Sequence, residues 1–64
     1  MKNRLKILRA ISGVTQFDLR LRTGLHQSKI SLIEKGYVQP KEDEIQKLAK
    51  ALKVRREDLF PEEK

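Results

Sequence analysis

One glycine constrains this chain more than any other residue. Gly24 lies between two segments, Thr15–Thr23 and Gln27–Lys35, each just long enough for two turns of helix. A residue with a Cβ seldom adopts the left-handed backbone that stops one helix and lets another start within three residues, and glycine does so freely. The first segment opens on Thr15, whose hydroxyl can accept from the backbone at the helix start. Asp18, three residues on, can answer it and complements the positive helix end. In the second segment Ile30 and Ile33, three apart, give a narrow inward stripe, and Gly36 closes it. Two short helices around a tight glycine turn follow.

Around this unit, Thr15-Gln16, Leu19, Gly24, Ile30, Ile33-Glu34 and Gly36 stand at the spacings of a known family. Pro40, the Leu48-Ala49-Lys50-Ala51-Leu52 run and Asp58-Leu59-Phe60 continue the pattern. The chain from about Asn3 to Phe60 resembles the phage repressor and Cro-type helix-turn-helix DNA-binding domain. The resemblance implies an all-α fold, a compact bundle of about five short helices in one domain over residues 1–64. It also implies double-stranded DNA as partner and a prokaryotic or phage-type, nucleoid-associated setting.

Sixty-four residues accommodate one domain, in which only about 60% of the unfolded chain's surface can be buried. There is no cysteine and only one histidine, so disulfides, thiolate metal sites and a cysteine nucleophile are excluded. No metal spacing, phosphate-binding glycine loop or nucleophile with a base occurs, and the chain reads as a non-enzyme without cofactor or metal. No apolar run approaches a membrane span and no signal-type segment follows Met1, so the expected location is cytoplasmic. The net charge of +6 is unevenly placed. Residues 1–35 carry eight basic and two acidic side chains, whereas residues 36–64 carry seven of each. A basic half suits a polyphosphate partner.

Met1 to Ser12 reads as helix 1, with Leu5, Leu8 and Ser12 on one face and Arg9 beside them. Lys2, Arg4 and Lys6 are left to solvent or phosphate. Val14 stands as a staple residue before the Thr15 cap. The resemblance implies that Arg9 pairs with Glu34, locking helix 1 to helix 3 and orienting the latter. The chain departs from the family at Arg20, where a small residue is usual, at Thr23, where an apolar one is, and at Lys53, where glycine is frequent. Arg20 can run outward along its aliphatic stem. His26 stands where the family often has a serine or threonine cap, and reads as a helix-start or phosphate-side residue. Helix 4 is expected to begin near Pro40, with Glu42, Asp43 and Glu44 at its positive end and Ile45, Leu48, Ala49 and Leu52 as its buried stripe. Its charge runs read as a solvated face. Val54 to Phe60 reads as helix 5, with Leu59 and Phe60 packed near Leu5 and Leu8, and residues 61–64 as a frayed tail.

With Ile30 and Ile33 inward, Ser28, Ser31, Leu32 and Lys35 point the opposite way. A recognition helix enters the major groove with its N-terminal residues at the base edges. Gln27, Ser28, Ser31 and Leu32 are therefore the candidate base contacts. The Gln27 amide can bond adenine at N6 and N7 together, Leu32 can pack on a thymine methyl, and Ser28 can donate or accept with little discrimination. By analogy with the family, Thr15, Gln16, Lys35 and Lys41 hold phosphate, with Arg22 and Lys29 in second rank. Tyr37 can donate to phosphate or cover the core edge.

Ile7 and Ile11 on helix 1, and Phe17 and Leu21 on helix 2, face away from the expected core. Such residues suggest a protein contact, through self-association or a partner. The expectation is thus a small transcriptional regulator, a repressor acting as a homodimer on a two-fold operator. The alternative is a protein-interaction adaptor or antitoxin-like module on the same fold.

Overall fold

The computed structural model describes residues 3–61. Five helices follow one another: α1 (Leu5–Ile11), α2 (Gln16–Thr23), α3 (Gln27–Glu34), α4 (Glu42–Leu52) and α5 (Arg56–Leu59). No strand occurs among the described residues. Leu5, Leu19, Ile30, Ile33, Leu48 and Leu59 are fully buried, and every helix contributes at least one of them. Val14, Leu25, Ile45, Ala49, Leu52 and Phe60 complete one core cluster. α2 packs against both α3 and α4 and so sets the platform on which α3 rests.

Helix 1 is shorter than its periodicity suggests. Asn3 Oδ1 accepts the Leu5 N–H at 3.0 Å, and Asn3 Nδ2 donates to the Ile33 carbonyl at 2.8 Å. This places Asn3 ahead of the helix as a local cap. Met1 and Lys2, and the expected tail at residues 62–64, lie outside the described residues. The helix ends at Ile11, so Ser12 is exposed instead of lining the core. The exit is tight: the Val14 N–H reaches back to the Arg9 carbonyl at 3.0 Å.

The α2 start is a reciprocal cap. Thr15 Oγ1 accepts from the Asp18 N–H at 3.0 Å, and Asp18 Oδ2 accepts from the Thr15 N–H at 3.0 Å. The Thr15 backbone and side-chain donors hold the Asp18 carboxyl below the usual carboxylate range. At the other end Gly24 takes φ +80°, and the space where its Cβ would go is empty. Glycine is required there by backbone conformation and not by crowding. Thr23 is buried, but its hydroxyl donates to the Leu19 carbonyl at 2.7 Å and accepts from the Leu25 N–H at 3.1 Å. The polar residue at this core position is therefore satisfied. Arg20 is exposed, with its guanidinium over the Phe17 ring.

Helix 4 starts two residues later than Pro40. Lys41 is extended (ψ 163°) and its N–H donates to Glu44 Oε1 at 2.9 Å, so the first helical residue is Glu42. Pro40 instead packs as a buried residue just ahead of the cap. The expected stripe of Ile45, Leu48, Ala49 and Leu52 is buried. The charged face is not wholly solvated, because Glu44 is buried and bonds Lys29 of α3. Val54 cannot open α5: its N–H closes α4 on the Ala49 carbonyl at 3.0 Å, and α5 starts only at Arg56. Leu59 and Phe60 are buried, and the Leu59 carbonyl accepts the Arg4 N–H at 2.9 Å, tying the two ends of the chain together.

Candidate nucleic-acid interface

Helix α3 has eight residues, and only Ile30 and Ile33 are buried. Two apolar side chains fix one edge of a helix but leave its axis free to tilt. Polar contacts along its length supply the rest. At its C-terminal end Glu34 accepts from Arg9 Nε at 2.6 Å, Arg9 Nη2 at 3.3 Å and Gln16 Nε2 at 3.0 Å. The carboxylate-bearing side chain is 4% exposed and that of Arg9 16%. Arg9 Nη1 also donates to the Val14 carbonyl at 3.1 Å, so the half-buried guanidinium has three acceptor atoms. The same end of α3 is held by Asn3 on the Ile33 carbonyl. In the middle, Lys29 Nζ bonds Glu44 Oε2 at 2.7 Å, linking α3 to the start of α4. The Lys29 ammonium and the Lys41 N–H together hold the Glu44 carboxyl below its ordinary range.

Both ends of α3 are capped. His26 is extended (ψ 144°) and its Nδ1 accepts from the Ser28 N–H at 3.2 Å. At the exit Gly36 has φ +81°; the Gly36 N–H bonds the Ile33 carbonyl and the Tyr37 N–H the Leu32 carbonyl, each at 3.0 Å. This pair of bonds is a Schellman turn, and it throws residues 37–41 off the end of α3.

The outward side of α3 is open. Ser28 is exposed, Leu32 is 39% exposed, and Gln27 and Ser31 are half-buried beside them. Thr15, Lys35, Tyr37 and Lys41 are also exposed. Tyr37, at 76% exposure, stands off the core edge instead of covering it. Thr15 Oγ1 accepts from the Asp18 N–H at 3.0 Å. Gln16, half-buried, uses one Nε2 proton on Glu34 and keeps the other; it also opens α2, where the backbone N–H lacks an intrahelical partner. Two cations are engaged elsewhere. Lys29 is on Glu44, and Arg22 Nη1 donates to the Ala51 carbonyl at 3.0 Å, near the C-terminus of α4.

A helix-turn-helix domain profile matches residues 3–60. The chain belongs to the helix-turn-helix domain family. That family is a DNA-binding, transcription-regulating class and not an enzyme class. The chain is 42% identical over 60 residues to an uncharacterized HTH-type transcriptional regulator of Methanocaldococcus jannaschii, covering 94% of this chain and 91% of that protein. It is 35% identical over 60 residues to an uncharacterized HTH-type transcriptional regulator of Archaeoglobus fulgidus, covering 94% and 86%. Its fold is similar to that of the restriction-modification controller protein C.AhdI from Aeromonas hydrophila. The TM-score is 0.84 at 35% identity, covering 89% of this chain and 86% of that one. Within this helix-turn-helix protein, α2, the Gly24 turn and α3 are the motif.

Two contributors escape local sequence reasoning. Asn3 and Glu44 both act on α3 from outside the motif. The signals were faint. Asn3 lies two residues before a helix, where a side-chain amide caps readily. Glu44 lies three residues after Lys41, where a carboxylate reaches back to the cap N–H. No helix among the described residues is long and apolar enough to cross a membrane.

Proposed function

We propose that the protein reads double-stranded DNA with α3 in the major groove, as a homodimeric repressor occupying a two-fold operator on prokaryotic or phage DNA in the cytoplasm. The observation that carries this reading is a helix anchored on three sides whose fourth side is open. Ser28 and Leu32 are exposed on that side, and Thr15, Lys35, Tyr37 and Lys41 are exposed as well. Gln27, Ser28, Ser31 and Leu32 meet base edges, with Gln27 on adenine and Leu32 on a thymine methyl. Thr15, Gln16, Lys35, Tyr37 and Lys41 hold phosphate and set the register. Arg22 and Lys29 join them in second rank, each with further N–H donors beside the bond to Ala51 or Glu44. The positive excess of residues 1–35 draws the duplex to this face.

Binding titrations on a selected duplex and on random DNA test the reading. Gln27→Ala is expected to cost about 1–3 kcal/mol on the selected duplex and almost nothing on random DNA. Equal losses on both would remove Gln27 from base readout. Lys35→Ala weakens all sequences alike and flattens the salt slope by about one unit. An unchanged slope removes Lys35 from the phosphate set.

A second reading concerns protein contact. Ile7, Ile11, Phe17 and Leu21 are each more than half exposed, which favours an apolar surface used for self-association or for a partner. One module reads only a few base pairs, and dimers of this motif place two recognition helices about one DNA turn apart. Sedimentation of an Ile11→Lys, Phe17→Lys double variant tests the self-association. Mass unchanged from that of the native dimer would exclude these residues from the dimer contact.

A further inference from the structure

His26 does more than start α3. Its Nδ1 takes the Ser28 N–H at 3.2 Å and lies 2.9 Å from Ser28 Oγ. A ring nitrogen that accepts a backbone N–H carries no proton, so the neutral imidazole has its hydrogen on Nε2. With Nδ1 bare, its one lone pair is shared between the backbone N–H and the Ser28 hydroxyl 2.9 Å away, and at that second contact the hydroxyl is the donor. That hydroxyl has one hydrogen, and it is spent inside the protein. What Ser28 Oγ shows outward is lone pairs alone. An unconstrained serine both donates and accepts and therefore discriminates little between bases. This one is restricted to accepting.

We infer that His26 is a specificity-determining residue that acts through Ser28. It fixes the polarity of the Ser28 hydroxyl, so that Ser28 selects a base presenting an exocyclic amino donor in the major groove. Adenine N6 and cytosine N4 satisfy it, whereas guanine O6 and N7 and thymine O4 meet it with acceptors. The inference rests on the DNA-reading proposal above. Within it, Ser28 changes from a permissive contact to a selective one. Since Ser28 is exposed on the first turn of α3, the restricted hydroxyl is on the open side of the helix. His26 is a positioning residue here, because the chemistry that meets the base belongs to Ser28.

The test has two arms. Imidazole ¹⁵N shifts of the free protein at neutral pH report the tautomer without any DNA. The expected state is protonated Nε2 and bare Nδ1; a protonated Nδ1 in the neutral ring overturns the inference. In the second arm, duplexes are selected from a random pool, and the base pair whose preference disappears in Ser28→Ala is varied through all four possibilities. The native chain is expected to favour adenine or cytosine there by about three- to tenfold, the range of one hydrogen bond. His26→Ala should flatten that preference at this base pair alone. His26→Asn, whose side-chain oxygen can cap the helix and take the serine proton, should restore it. On a Ser28→Ala background, His26→Ala should change overall affinity but no base preference. A preference for guanine or thymine, or one that His26→Ala leaves intact, overturns the inference while sparing the DNA reading. Failure to enrich any sequence overturns both.

Discussion

Helices α3 and α4 both pack against α2 and are held by different forces. α4 buries Ile45, Leu48, Ala49 and Leu52 along one stripe and needs little else. α3 buries only Ile30 and Ile33 and takes its orientation from Arg9, Gln16, Asn3 and Glu44. The reason is geometric. A helix that must offer one side to a partner cannot also spend that side on the core, and eight residues leave a narrow strip for burial. Directional bonds replace area. The difference teaches where affinity and stability separate: changes in the α4 stripe act on how often the chain is folded, and changes among the groups that hold α3, Glu44 included, act also on where the folded chain points the open face of α3.

The largest effect expected from this contrast is at Glu34. Glu34→Ala leaves the Arg9 guanidinium nearly buried without its carboxylate, which costs about 3–5 kcal/mol. In a domain this small that is a large part of the whole stability. Replacing both partners, Arg9→Met with Glu34→Leu, removes the unpaired charge and returns most of the loss. If the ion pair orients α3, the double variant melts near the native temperature yet binds the selected duplex less tightly. Native affinity in a stable double variant would break the comparison, because two isoleucines would then suffice to aim the helix.

The Lys29–Glu44 bond is the next test, and it is milder because the Lys29 side chain is 37% exposed. Glu44→Gln keeps an acceptor for the Lys41 N–H and loses the charge, for a cost of about 1 kcal/mol at neutral pH. The sign of its pH dependence follows from the depressed carboxyl. A carboxyl held below its ordinary value in the folded chain stabilises the fold above that ordinary value. The contribution fades as pH falls through the depressed one. Denaturation midpoints of the native chain and of Glu44→Gln should therefore differ at pH 7 and converge in acid. A gap that stays constant with pH would assign the loss to the amide's shape instead of the missing charge.

The sequence makes the local half of this architecture legible. Gly24 and Gly36 mark their turns because a positive φ is a demand made by the chain on itself. The α4 stripe is legible because periodicity is local as well. The contacts that aim α3 are not local. Asn3 reaches the Ile33 carbonyl across 30 residues and Lys29 reaches Glu44 across 15, and no periodicity encodes either approach. The Arg9–Glu34 pair spans 25 residues and is suggested only by resemblance to a family. Boundaries blur for a different reason. A proline suits both the first helical turn and the position before the cap, and only the Lys41–Glu44 bond decides between them. On the open face of α3, exposure of Ser28 and Leu32 follows from the phase of Ile30 and Ile33, whereas the His26–Ser28 contact depends on distances that residue types do not carry.

The smallest effect belongs to the exit of α4, where the comparison predicts stability without affinity. Lys53 has φ +60°, alone among the described non-glycine residues in having a positive φ. The Lys53 N–H still bonds the Lys50 carbonyl at 3.2 Å, so the turn is formed at the expense of backbone strain. A side chain in that region costs about 1–2 kcal/mol. Lys53→Gly relieves it, but glycine adds freedom to the unfolded chain worth about 0.4–1 kcal/mol. The substitution also gives up a cation at the negative end of α4, worth about 0.3–1 kcal/mol at low salt. The middle of these ranges leaves a gain of about 0.2 kcal/mol at low salt, or roughly 1 °C in Tm. Because salt screens the lost attraction but not the relieved strain, the gain should grow with ionic strength. Affinity for the selected duplex should stay unchanged, since nothing that aims α3 passes through Lys53. A variant that gains stability and loses affinity would mean that the exit of α4 also steers α3.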